Sequence, residues 1–206
     1  MPSDTVETNT PIPDVYALPS DLPVPADDGA CAHLAGMPLP QLPLPSTAGG
    51  PVDLSQVAGR VVVFAYPRTG VPGQPSLVDD WDLIPGARGC TTQTRAFRDH
   101  HEELRALGVA AVFGLSTQDT AYQREHAERL ALPFPILSDD RLYLTEALRL
   151  PTFSAANIIL LKRLALVIDD GVITNVFYPV FPPNQNAEDV IAWLLDDQAK
   201  IGESDA

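Results

Sequence analysis

The 206-residue sequence holds only two cysteines, Cys31 and Cys90. Two thiols make no disulfide framework for a domain of this length, so packing must hold the fold, as in a reducing compartment. No Cys-x-x-Cys pair exists, which excludes a dithiol oxidoreductase. Positive charge is scarce as well: 13 Lys and Arg stand against 27 Asp and Glu, a formal net charge of −14. Nucleic acid and anionic membrane surfaces both call for clustered Lys and Arg, so neither is an expected partner. No run approaches the roughly 20 apolar residues that span a bilayer. The beginning of the chain, rich in Asp and Pro and without Lys or Arg, is unlike a secretory signal, and a cytoplasmic location is expected. Cys and His show no metal-site spacing, so no metal is expected. A Cys–His hydrolase is equally unsupported. His100 and His101 lie about 15 Å of helical rise from Cys90, and nothing in the sequence directs His33 or His126 to the sulfur.

What is present is ordinary for a globular protein, with 45% hydrophobic residues. Residues 1–32 read as an acidic, Pro-rich arm without apolar period, flexible or laid across the surface. Residues 33–198 read as one domain and residues 199–206 as a tail. No internal repeat is visible. Leu39 to Leu44 alternates like a short edge strand. Arg60 to Tyr66 is a continuous apolar run that stops at Pro67, as a strand buried on both faces does. After a Pro/Gly-rich loop from Arg68 to Arg88, a helix is predicted from Cys90 to about Leu107, ended by Gly108. Val109 to Leu115 reads as a second buried strand, Gln118 to Leu130 as a polar helix, Phe134 to Leu137 as a strand and Arg141 to Leu148 as a helix. Ile158 to Ile168 and Val172 to Val180 should pair across the turn Asp169-Asp170-Gly171. A last helix is predicted from Asn186 as its cap. Helical crossovers demand parallel strands and the hairpin an antiparallel pair. The expected class is therefore α/β, a thioredoxin-like fold with a mixed central sheet flanked by helices.

Gly89-Cys90-Thr91-Thr92-Gln93 puts a cysteine in the first turn of a helix. Unpaired N–H groups and the positive end of the macrodipole favour a thiolate there. Cys90 is thus either reactive or, as buried free cysteines often are, a small hydrophobe. Trp81, Leu83 and Ile84 are apolar for a loop and suggest a lid or a dimer face.

Val63-Phe64-Ala65-Tyr66-Pro67, Gly89-Cys90-Thr91-Thr92, Phe97-Arg98-Asp99-His100 and Leu132 to Asp139 follow one another in an order that resembles the peroxiredoxins. The resemblance is to the bacterioferritin-comigratory, PrxQ-like branch of the AhpC/TSA superfamily, and Leu161 to Gly171 resembles the strand carrying that family's second essential residue. It implies a thiol-dependent peroxidase that reduces hydrogen peroxide and organic hydroperoxides through a cysteine sulfenic acid, without metal or organic cofactor. Cys90 would be the peroxidatic cysteine and Arg163 the arginine that holds its thiolate. Apolar residues flank Arg163 on both faces, so an arginine there needs a reason. Pro67 matches the family's proline. The family's threonine would fall at Ala87, which leaves Thr69, beside Pro67, to supply the hydroxyl. Many PrxQ-like proteins carry a resolving cysteine five positions after the first, and that place here is Arg95. One-Cys operation follows, with an external reductant: a thioredoxin, a glutaredoxin-like protein or a low-molecular-weight thiol. Cys31 is the remaining candidate for resolution, within the chain or across a homodimer. The reading from a different class is a redox sensor that oxidises once and signals through a partner.

Overall fold

The computed structural model describes Ile12 and residues 14–204; the rest of the expected arm and the end of the tail, 205–206, lie outside the described residues. The strand expected at Leu39 forms later, at Pro43–Ser46 (β1), and pairs antiparallel with Gly49–Asp53 (β2). Pro38 makes only an isolated antiparallel bridge to Val172. Leu39 next to it donates its N–H to Gly171 O at 2.7 Å.

The chain continues through Arg60–Ala65 (β3), Cys90–Asp99 (α1), His101–Ala106 (α2), Val109–Ser116 (β4), Thr120–Arg129 (α3), Ile136–Ser138 (β5) and Tyr143–Leu148 (α4). Thr152–Ala155 (β6), Ile158–Leu161 (β7), Leu164–Asp169 (β8), Val172–Phe177 (β9) and Asn186–Ser204 (α5) complete it. Seven strands form one mixed sheet in the order β2-β1-β5-β4-β3-β8-β9. The ladders β3–β4 and β4–β5 are parallel, as helical crossovers require, and β8 joins β3 antiparallel. This is the mixed, helix-flanked sheet that the sequence implied.

Alternation along β3 divides the core in two. Val61, Val63 and Ala65 face one cluster with Leu34, Leu115, Leu161 and Cys31. Val62, Phe64 and Tyr66 face the other with Phe97, Leu104, Val190 and Cys90. On that second face the Phe64 and Phe97 rings stack with centroids 4.3 Å apart, and Phe134 meets Phe64 edge-on at 5.7 Å. These contacts fix α1 against the central strand.

Three expectations are corrected. The helix from Cys90 breaks at His100, whose backbone (φ −97°, ψ 9°) leaves the helical region. Its Nδ1 lies 3.0 Å from Glu103 Oε2, tying it to the first turn of α2. The strand predicted over Ile158 to Ile168 is two strands, because β7 pairs with β6 in a separate two-stranded sheet while β8 enters the main one. Lys162 and Arg163 fall at the junction. Asn186 is not the N-cap of the last helix but its first residue, with helical backbone (φ −56°, ψ −35°) and a fully buried side chain.

Candidate active site

Cys90 is the first residue of α1, preceded by Gly89 in the left-handed region (φ 99°). Glycine is required at that position twice over. A Cβ would be strained at this φ, and it would collide with Pro183 Cγ and lie 2.9 Å from Leu18 Cδ1. The thiol is therefore presented at a helix N-terminus, among N–H groups without intrahelical partners. It is 3% exposed, and its nearest polar neighbours are Arg163 and the Ala87 carbonyl.

The break between β7 and β8 delivers Arg163 to this thiol. Arg163 is itself 3% exposed, and its Nη2 lies 3.3 Å from Cys90 Sγ. The same nitrogen lies 3.0–3.2 Å from the carbonyls of Gly86, Ala87 and Arg88, which are therefore grouped around its two hydrogens. Nη1 donates to Gln93 Oε1, and Gln93 Nε2 donates to Asn186 Oδ1 at 2.8 Å. A buried cation is thus held by neutral acceptors and turned toward sulfur, and among the described residues no carboxylate competes for it. Gln93 and Asn186 were not anticipated. Gln93 stands three residues after Cys90 and so shares its helix face, a signal the sequence carried; Asn186 was disguised as a cap.

Pro67 is buried directly after β3, and Thr69, 1% exposed, lines a cavity of about 100 Å³ together with Cys90. The Thr69 hydroxyl donates to Gln118 Oε1 at 3.2 Å, so the folded loop brings it back to the site. Ala87 is fully buried and carries no side-chain donor. Trp81 is neither a free lid nor an exposed face: it packs beside Ala155, Leu160 and Phe153, while Leu83 remains 74% exposed. The hairpin β6–β7 thus anchors the long loop that forms the cavity wall.

His126 approaches α1 from α3, which nothing in the sequence indicated. Its Nε2 lies 3.3 Å from Thr94 Oγ1, and Thr94 donates to the Cys90 carbonyl at 2.9 Å. Since that hydroxyl proton is used, Nε2 must carry the imidazole proton, leaving Nδ1 to accept from Arg129 Nη2 at 3.1 Å. Burial, with Arg129 adding to it, lowers the His126 pKa to about 3. The ring is a neutral strut behind the helix, not a base beside the sulfur.

Cys31 sits on the other face of the sheet from Cys90, 6% exposed among Leu34 and its neighbours. Burial, then the nearby Asp28 and Asp27, push its thiol up to about 12. Arg95, in α1, places its guanidinium 5.9 Å from the centre of the Tyr16 ring.

A family model described as Redoxin matches residues 34–191. Peroxiredoxin Q, chloroplastic, of Oryza sativa subsp. japonica is 35% identical over 135 residues, covering 65% of this chain and 54% of the relative. The chain thus spans about half the length of that protein. Peroxiredoxin Bcp of Escherichia coli (strain K12) is 30% identical over 167 residues, 79% of this chain and 96% of the relative. Among solved structures, peroxidoxin BcpB from Mycobacterium tuberculosis superposes with a TM-score of 0.63 at 25% identity, over 79% of this chain and 96% of that one.

Proposed function

Because the chain belongs to the Redoxin family, as a peroxiredoxin of the Q/Bcp type, we propose that it reduces hydroperoxides at Cys90 as a one-Cys enzyme. The observation that carries this reading is the Arg163 guanidinium 3.3 Å from the sulfur of a cysteine that sits at a helix N-terminus and lines a cavity. In the proposed step the Cys90 thiolate attacks the terminal oxygen of the peroxide. The S–O bond forms as the O–O bond breaks, sulfur is oxidised by two electrons to the sulfenic acid, and water or an alcohol departs after taking a proton. Arg163 and the first N–H groups of α1 stabilise negative charge on sulfur and on the departing oxygen. Thr69, presented by the turn at Pro67, supplies a hydroxyl at the cavity wall.

Operation with one cysteine is supported by Arg95 in the place of a helix-borne resolving thiol, and by the burial of Cys31 on the far side of the sheet. The sulfenic acid then condenses with an external thiol, a second thiol releases the cysteine, and turnover continues. The test is steady-state consumption of hydrogen peroxide with a panel of thiol reductants, comparing the natural chain with Cys90→Ser. Sustained turnover that falls below a few per cent in the variant is expected. One round of oxidation without turnover on any reductant would make the protein a sensor, and activity retained in the variant would place the chemistry elsewhere.

A further inference from the structure

The cavity in front of Cys90 inverts the charge balance of the whole chain. The molecule carries 27 acidic and 13 basic side chains, yet among the described residues Arg68 and Arg88 line this cavity and no Asp or Glu does. The two arginines differ. Arg88 is occupied: it pairs with Asp82 at 3.5 Å, and its Nη2 donates to the Asp14 and Ala17 carbonyls. Arg68 lies over the Tyr122 ring, its Cζ 4.5 Å from the ring centre, and among the described residues no carboxylate comes within ion-pair distance of it. Tyr122 is in turn fixed by donating its hydroxyl to the Thr69 carbonyl at 2.9 Å. A guanidinium held over a ring in this way, with one hydrogen bond to the Tyr122 side chain, keeps further N–H donors for a ligand.

We propose that Arg68 is a specificity-determining residue that binds the carboxylate of a short, carboxylate-bearing hydroperoxide while Cys90 attacks its peroxide end. The proposal rests on the peroxidase reading above and adds a substrate class to it. A cavity of about 100 Å³, with the buried Val15 in its wall, has room inside it for a chain of a few carbons. For a monoperoxy dicarboxylate the step balances as follows. The thiolate takes the terminal OH from the peroxy group, forming the S–O bond and breaking O–O. The sulfur loses two electrons and the remainder leaves as a dicarboxylate needing no proton.

The test uses two peroxyacids of equal length, monoperoxysuccinate and the uncharged peroxybutanoic acid, each added to the fully reduced protein. Rate constants for oxidation of Cys90 are read by rapid quench and mass spectrometry, with hydrogen peroxide as a third oxidant. The natural chain should prefer monoperoxysuccinate despite its net charge of −14. The ratio of the two peroxyacid rate constants should fall roughly tenfold in Arg68→Gln, as loss of a charge-assisted hydrogen bond implies. It should be partly restored in Arg68→Lys. High salt should lower the ratio in the natural chain. A natural chain that prefers peroxybutanoic acid, or a ratio unchanged in Arg68→Gln, overturns the proposal. Failure of hydrogen peroxide to oxidise Cys90 would instead overturn the peroxidase reading, and this proposal with it.

Discussion

At the scale of residues, one guanidinium does several jobs. Arg163 gathers three loop carbonyls, Gln93 and the Cys90 thiol, so it shapes the loop ahead of α1 and polarises the sulfur at once. A lysine keeps the charge but loses the planar fork, and alanine loses both. Alkylation of Cys90 by iodoacetamide at neutral pH should therefore slow severalfold in Arg163→Lys and further in Arg163→Ala. Circular dichroism should verify that each variant is folded. Rates equal to the natural chain in both folded variants would reduce Arg163 to a structural part. The cysteine and this arginine were legible in the sequence: a thiol behind a glycine at a helix start, and a cation flanked by apolar residues. Arg68, Arg88 and Val15 were not. Their convergence on one cavity depends on how a loop of about twenty residues packs, and local composition carries no record of that.

Among the elements, α1 is held from two sides. Phe97 fixes it to β3, and the relay from the Cys90 carbonyl through Thr94 and His126 to Arg129 fixes it to α3. The His126 link has a pH signature. With a folded pKa of about 3, the native chain refuses a proton that the unfolded chain accepts below about 6.5. Its contribution is therefore fully present above that value and is lost as pH falls from about 6.5 toward 3. Between pH 7 and 5, before most carboxylates titrate, the loss should reach up to about 2 kcal/mol at 1.4 kcal/mol per unit. His101, also lowered by burial, acts in the same direction. Denaturant midpoints across that range should fall for the natural chain and flatten substantially in His126→Gln, which keeps an N–H for Thr94. An identical slope in the two proteins would show that His126 is not held neutral. Long periodic elements such as β3, β4 and the hairpin at Asp169-Asp170-Gly171 could be read from pattern alone. The junction at Lys162–Arg163 could not, since the apolar run on both sides gives no sign that β7 leaves the sheet that β8 joins. Nor could Asn186, whose cap-like position hides a buried partner for Gln93.

For the whole molecule, the decisive division is the central sheet. Alternation on β3 sends Cys90 to one core and Cys31 to the other. From Asp14 to Leu34 the segment before the sheet is anchored at several points: Arg88 holds the Asp14 and Ala17 carbonyls, Lys162 and Tyr178 bind Asp28 at 2.6 and 2.8 Å, and Cys31 and Leu34 enter the core. Asp28 is stabilised as a carboxylate, its pKa lowered to about 2 chiefly by Lys162. Bringing Cys31 to Cys90 would mean stripping these contacts and exposing buried side chains, each worth about 1.5–3 kcal/mol when apolar and large. The most direct measurement is the covalent state of both cysteines after the reduced protein meets one equivalent of hydrogen peroxide, read by mass spectrometry with a sulfenic-acid trap. The account predicts trapped sulfenic acid on Cys90, a free thiol at Cys31, and undiminished turnover with an external thiol in Cys31→Ser. A Cys31–Cys90 disulfide formed in high yield, within one chain or between two, would contradict it.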